Sequence, residues 1–87
     1  MKIKDGFILR KMGGQAVVVS VGSASKTFNG MIKLNETGEL LWNKMSKDVS
    51  EEELIQALLE EYDVSQEVAK QDVSAFIETL KTPGIIE

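Results

Sequence analysis

The side chains of this chain that could take part in chemistry are mostly carboxylates. Fourteen of its 87 residues are Asp or Glu, and it contains no His and no Cys. The commonest general base, the usual zinc ligands and the thiol nucleophile are therefore missing. The densest acidic runs, Glu51-Glu52-Glu53 and Glu60-Glu61, occupy successive positions of predicted helices, where neighbouring side chains point in different directions. We expect these carboxylates to face solvent and not to form a metal or acid–base site.

The glycines do not form a phosphate-binding loop either. Gly13-Gly14 lacks the strand-to-helix context and the Lys-Ser/Thr pair of a P-loop. The sequence therefore predicts a protein that is not an enzyme, with no catalytic residues and no metal or other cofactor.

A different set of residues suits the binding of a peptide. Met31–Leu34 has the composition of a short strand, and an edge strand exposes backbone groups that an added peptide strand can satisfy. Beside the apolar face of the last predicted helix runs a narrow shoulder, formed by Val68, Asp72, Ala75 and Thr79. Together with Phe76, this shoulder is expected to form the opposite wall of a groove. The predicted peptide-binding residues are Met31, Ile32, Lys33, Leu34, Val68, Asp72, Ala75, Phe76 and Thr79.

Two other interpretations of these residues stay open at the level of sequence. Residues 22–30 could cover both edges of the proposed groove. Asp72, at the border of the apolar face, could bond to nearby backbone or to a lysine instead of holding a ligand or a partner.

The first third of the chain predicts strands. Phe7–Met12 mixes apolar and basic residues, and residues 15–21 are rich in Val. Gly13-Gly14 between them suits the positive φ angles of a tight hairpin. Residues 22–30 are expected to be a loop, partly extended near Lys26, with Phe28 docked on the core. Met31–Leu34 is then a third, short strand.

The rest of the chain predicts three helices, each with a recognisable N-cap. Asn35 caps a helix over residues 36–45, and Ser50 and Glu53 form a capping box for a helix that ends near Tyr62. Ser65 caps a third helix, which Pro83-Gly84 ends. The apolar residues of this last helix that share one face are Ala69, Val73, Phe76, Ile77 and Leu80. Ile85-Ile86 is expected to form a last extended segment that packs back on the domain.

This order predicts one α+β domain over residues 1–87, in which a three-stranded antiparallel sheet is followed by three helices in a winged helix-turn-helix-like arrangement. A hydrophobic content of 43% and a charged content of 28% are ordinary for a folded soluble domain. No apolar run approaches the roughly 20 residues that a membrane helix needs. We therefore expect a cytoplasmic protein that does not bind a membrane.

Charge is unevenly distributed along the chain. Residues 1–34 hold six Lys or Arg against one acid, a net charge of +5, whereas residues 35–87 hold four Lys against thirteen acids, a net charge of −9. This asymmetry fits either two solvated faces or a basic part that meets an anionic partner such as an acidic peptide segment.

In its motifs, the chain resembles the PqqD-like family, which includes the peptide chaperone of pyrroloquinoline quinone biosynthesis and the RiPP recognition elements. The resemblance spans nearly the whole chain. The segments that carry it are Phe28-Asn29-Gly30-Met31-Ile32-Lys33-Leu34-Asn35-Glu36-Thr37-Gly38, Leu41-Trp42, Glu53-Leu54-Ile55, Leu58-Leu59-Glu60-Glu61-Tyr62-Asp63-Val64, Asp72-Val73, Phe76, Leu80 and Gly84-Ile85-Ile86-Glu87.

The resemblance implies a winged-helix-like fold that binds the leader segment of a ribosomally made precursor peptide as an added strand, between Met31–Leu34 and the shoulder around Asp72, Phe76 and Thr79. It also implies delivery of that peptide to a modifying enzyme, often of the radical-SAM type. The chain lacks the Arg/Pro-rich opening of the quinone-pathway protein and has Gly6-Phe7-Ile8-Leu9-Arg10 instead. It is therefore more similar to a stand-alone relative in another peptide pathway.

Two rival functions remain at this stage. The main alternative is a winged-helix nucleic-acid-binding protein, in which the basic hairpin would act as a wing. Its expected recognition helix, however, contains no Arg and offers Lys70 and Lys81 against three acids. The other rival is a structural adaptor that binds a folded protein through the basic hairpin.

A free strand edge is compatible with a monomer or with a strand-paired dimer.

Overall fold

The computed structural model describes residues 1–26 and 30–86, and in them the predicted order of strands and helices is confirmed. The strands are β1 (Phe7–Met12), β2 (Gln15–Ser20) and β3 (Met31–Leu34), and the helices are α1 (Glu36–Lys44), α2 (Glu51–Glu61) and α3 (Gln66–Lys81). The predicted boundaries differ from these by one residue at the ends of β2, α1 and α2. No helix in the described ranges is long and apolar enough to cross a membrane.

The three strands form an antiparallel sheet in the order β1-β2-β3. The β1–β2 hairpin closes over Gly13 and Gly14, whose φ angles of 61° and 82° lie in the left-handed region that side chains disfavour. β3 pairs with β2 from Ala16 opposite Leu34 to Val19 opposite Met31. Among the described residues, the other side of β3 has no strand beside it, so β3 is an edge of the sheet.

The connection between β2 and β3 differs from the prediction at its start. Residues 22–26, expected to be a loop that becomes extended near Lys26, form a short 3-10 helix, Gly22–Lys26. Gly22 has a φ of 63°, and the Ser25 hydroxyl donates to the Gly22 carbonyl at 2.7 Å, which closes a tight turn. Phe28, predicted to dock on the core, lies outside the described residues.

All three predicted N-caps are confirmed. The Asn35 side chain accepts from the backbone N–H of Gly38 at 2.8 Å, and Ser65 accepts from Val68 at 3.1 Å. Ser50 and Glu53 make both hydrogen bonds of a capping box. These caps satisfy backbone donors that have no partner within the first helical turn.

The core lies between the sheet and the helices. Its largest fully buried side chains are Leu41, Met45, Leu54, Leu58, Leu80, Ile85, Val18 and Val73. The predicted return of the C-terminal segment is confirmed, since Ile86 bridges Ile3 and the Lys4 N–H donates to the Ile85 carbonyl at 2.8 Å. The N-terminal and C-terminal segments therefore cover the core together.

We predict that Ile85→Ala lowers the free energy of unfolding by about 2–5 kcal/mol, because Ile85 is 0% exposed and its loss leaves a cavity. Urea denaturation measures this change. Val64→Ala, at a site 37% exposed, is the control and should change stability by less than about 0.5 kcal/mol. Equal losses in the two variants would show that the C-terminal segment is not part of the core.

We also predict that Asn35→Ala lowers the free energy of unfolding by about 1 kcal/mol, because the first turn of α1 loses its cap. The matched control is Asn43→Ala, the same substitution at an exposed position in the last turn of the same helix, which should be neutral or slightly stabilising. Thermal unfolding of the two variants in parallel checks this. A variant Asn35→Ala as stable as Asn43→Ala would contradict the role of the cap.

Candidate functional site

An open groove of about 380 Å³ runs between β3 and α3. The residues that line it are Lys33, Leu34, Asn35, Thr37, Gly38, Asp72, Ala75, Phe76 and Thr79. Six of them belong to the set predicted from the sequence as peptide-binding. The groove therefore brings together the end of the third strand, the start of the first helix and the exposed shoulder of the third helix.

The floor of the groove is apolar and closely packed. Leu34 and Phe76 are 5% and 9% exposed, and Gly38 is buried beside them. A Cβ atom at Gly38 would lie 3.4 Å from the Phe76 ring and 3.1 Å from the Asn35 side-chain oxygen. That oxygen is held in place because it also accepts from the Thr37 hydroxyl at 3.0 Å. A side chain at position 38 would therefore crowd the capping oxygen of Asn35, whereas its distance from the Phe76 ring would be an ordinary van der Waals contact.

Within the described residues, the strand side of the groove presents backbone groups that have no strand beside them. The Leu34 carbonyl points toward β2, where it accepts from the Gln15 side-chain amide at 2.7 Å. Backbone groups of successive residues in a strand point alternately to its two sides, so those of Ile32 also point toward β2. The N–H and C=O groups of Met31 and Lys33 therefore point away from the sheet, toward the open edge.

The helix side of the groove is formed by exposed positions of α3. Asp72 and Thr79 are two helical turns apart, about 10 Å along the axis, with Ala75 between them. The Thr79 hydroxyl donates to the Ala75 carbonyl at 3.0 Å, which uses its proton within the helix. In residues 1–26 and 30–86, Asp72 forms no ion pair. Its carboxylate is left as the one acidic side chain lining the groove.

Three of the predicted binding residues do not line the groove. Met31 is 54% exposed at the start of β3, and Ile32 is half-buried against the core. Val68 is 42% exposed and lies one helical turn before Asp72 on the same shoulder. These three residues flank the groove along its strand and helix.

Three residues that do line the groove were not predicted: Asn35, Thr37 and Gly38. The sequence identified Asn35 only as a helix cap. The signal that could have found them is the direct passage from β3 into α1, since a helix that starts where the edge strand ends must place its first turn beside the same groove.

A second groove, of about 470 Å³, lies between α2 and α3 and includes Glu51, Glu52, Ile55, Leu59 and Lys70 in its lining. It adjoins no strand edge. No group of three or more acidic side chains in the described part of the chain is placed to hold a metal ion.

Two solved structures share this fold with the chain. One, described as TbiB1 in complex with the TbiA(beta) leader peptide, is 21% identical, covers 100% of this chain and 95% of its own, and superposes with a TM-score of 0.79. The other, described as lasso peptide synthetase B1 complexed with the leader peptide, is also 21% identical, with coverages of 97% and 93% and a TM-score of 0.75. A search of curated protein sequences gave no significant match.

The sequence itself matches a family model. The model for coenzyme PQQ synthesis protein D (PqqD) matches residues 15–86, which include β2, β3, all three helices and every residue that lines the groove. The resemblance noted in the motifs is therefore confirmed, and the chain belongs to the PqqD family.

Proposed function

We propose that this chain binds the leader segment of a ribosomally synthesised precursor peptide by β-strand addition and presents that peptide to a modifying enzyme. The observation that carries the proposal is the free edge of β3, which borders a groove whose opposite wall is α3. An added strand would satisfy the outward backbone groups of Met31 and Lys33, and its side chains would enter the groove.

The two parts of the groove would have different tasks in this mechanism. Backbone hydrogen bonds to β3 would supply affinity that depends little on peptide sequence. The apolar floor at Phe76 and the wall at Asp72, Ala75 and Thr79 would select the side chains that point inward. Val68 would extend that wall for a longer segment.

Family membership and the two similar structures support the same conclusion. By their descriptions, both of those proteins are complexes with leader peptides. Each superposes on nearly the whole of this chain.

In this account the chain is a carrier and not an enzyme. Among the described residues, the groove is lined by the carboxylate of Asp72 and the hydroxyls of Thr37 and Thr79, whereas the side chain of Lys33 belongs to the outer face of the sheet. We propose that the chemistry belongs to a partner enzyme, such as one of the radical-SAM type, that meets the peptide on this carrier in the cytoplasm. An affinity near 1 μM, about −8 kcal/mol, would hold the leader and still permit its release.

The free edge of β3 can also accept the edge of a second copy. A strand-paired dimer would occupy the backbone groups that the leader needs, so the form competent to bind the leader would be the monomer. Binding and self-pairing would then compete.

Nucleic acid is the less favoured ligand. The exposed surface of α3 carries Lys70 and Lys81 but also Glu67, Asp72 and Glu78, and it has no Arg. Such a helix would be repelled by phosphates as much as attracted to them.

We predict that Thr79→Arg weakens leader binding at least tenfold, because a long cationic side chain would fill the groove beside Ala75. Isothermal titration calorimetry with the leader segment of a precursor peptide encoded beside this gene measures the change. Thr79 is exposed, so the variant should keep its fold, which circular dichroism verifies.

The matched control is Ser74→Arg, which adds the same side chain at an exposed position on the opposite side of α3. We expect it to bind the leader with unchanged affinity. Unchanged binding by a folded Thr79→Arg variant would show that the peptide does not lie in this groove. An equal loss in both variants would show a general effect of added charge.

A further inference from the structure

The face of the sheet that points away from the helices carries two ordered rows of side chains. Residues paired across strands lie on the same face. The pairings of Arg10 with Val17 and of Val17 with Lys33 therefore form one row. A second row on the same face is formed by the pairings of Ile8 with Val19 and of Val19 with Met31.

The first row has a basic residue at each end and the apolar residue Val17 in the middle. Val17 is only 2% exposed, although it does not belong to the core cluster between the sheet and the helices. Its cross-strand neighbours on both sides are Arg10 and Lys33, both exposed. The aliphatic stems of such side chains can lie over an apolar neighbour while their charged ends stay in water. The two cations thus lie at the surface on either side of one valine.

In the described part of the chain neither Arg10 nor Lys33 forms an ion pair, whereas Lys11, on the other face, pairs with Glu39 at 2.8 Å. No Asp or Glu occurs in the three strands. The second row is apolar instead, with Ile8 36% and Met31 54% exposed.

Both rows end at the free edge of β3, at Lys33 and Met31. A peptide strand added there would extend each row by one side chain, placed directly beside Lys33 or beside Met31 at a distance of about 5 Å between Cβ atoms. Because these two positions are two residues apart, the peptide residue between them would point to the other face, toward the groove.

We propose that this chain selects peptides with a carboxylate beside Lys33 and an apolar side chain beside Met31, separated by one residue that enters the groove. This inference rests on the proposed function and names the substrate class of the same site. The groove selects the peptide side chains that point inward, and the outer rows of the sheet select the side chains that point to the other face.

The expected change in affinity follows from the solvent exposure of the ion pair between Lys33 and the peptide carboxylate. One exposed cross-strand ion pair changes affinity about two- to fivefold, and a like-charge pair has the opposite effect. Exchanging attraction for repulsion at Lys33 should therefore change affinity about tenfold at low ionic strength and less at high salt.

The test sorts a yeast-displayed library of random twelve-residue peptides on the purified full chain and on the Lys33→Glu variant. We expect the natural chain to enrich Asp or Glu two residues away from an apolar residue. The variant should enrich Lys or Arg at that position instead. Lys47→Glu, at an exposed site between α1 and α2, is the matched control and should select the same peptides as the natural chain.

Calorimetry then measures the affinity of one selected peptide, and of its variant with the acid replaced, for the natural chain and for Lys33→Glu. Replacing its acid by Lys should weaken binding to the natural chain about tenfold and restore binding to Lys33→Glu. Selection of the same residues by both proteins would overturn the inference and leave the proposed function standing, provided that Thr79→Arg still blocks the selected peptides. If no peptide were enriched on any of the three proteins, the proposed function itself would fail, and this inference with it.

Discussion

The direct passage from β3 into α1 is the constraint on which the rest of the site depends. Leu34 ends the strand buried in the core, and the next residue, Asn35, caps the helix with its side chain. The absence of a side chain at Gly38 leaves room for the capping oxygen, and the Phe76 ring of α3 lies beside the same turn. The strand edge and the first turn of α1 are therefore joined without a loop, and α3 lies beside them as the other wall of the groove.

This junction explains why the site suits an extended peptide. Its floor is apolar, and its helix side offers short side chains. On its strand side, the outward backbone groups of Met31 and Lys33 have no strand beside them among the described residues. A small molecule would leave the strand edge unsatisfied, whereas one more strand would pair it. In the account proposed here, modest affinity arises from main-chain pairing, and selectivity is shared between the groove and the outer face of the sheet.

Most of the fold could be predicted because its signals are local. The hairpin follows from Gly13-Gly14, and each helix start follows from a capping side chain. The 3-10 helix Gly22–Lys26 was missed because its Ser and Gly residues equally suit a loop. The shoulder of α3 could be predicted from helical spacing. The position of Phe76 beside Gly38 could not be predicted, because it depends on how α3 packs against α1. The row through Arg10 and Lys33 could not be predicted either, because it depends on the register of the strands.

The measurement that tests the central claim most directly is amide hydrogen exchange of β3 with and without the leader segment, followed by NMR. The N–H groups of Met31 and Lys33 point to the open edge and should exchange fast in the free chain. Those of Ile32 and Leu34 already point to β2. Strand addition predicts that exchange slows at Met31 and Lys33 when the leader binds, with a much smaller change at Ile32 and Leu34. A leader that binds tightly without slowing exchange at Met31 and Lys33 would contradict strand addition at this edge.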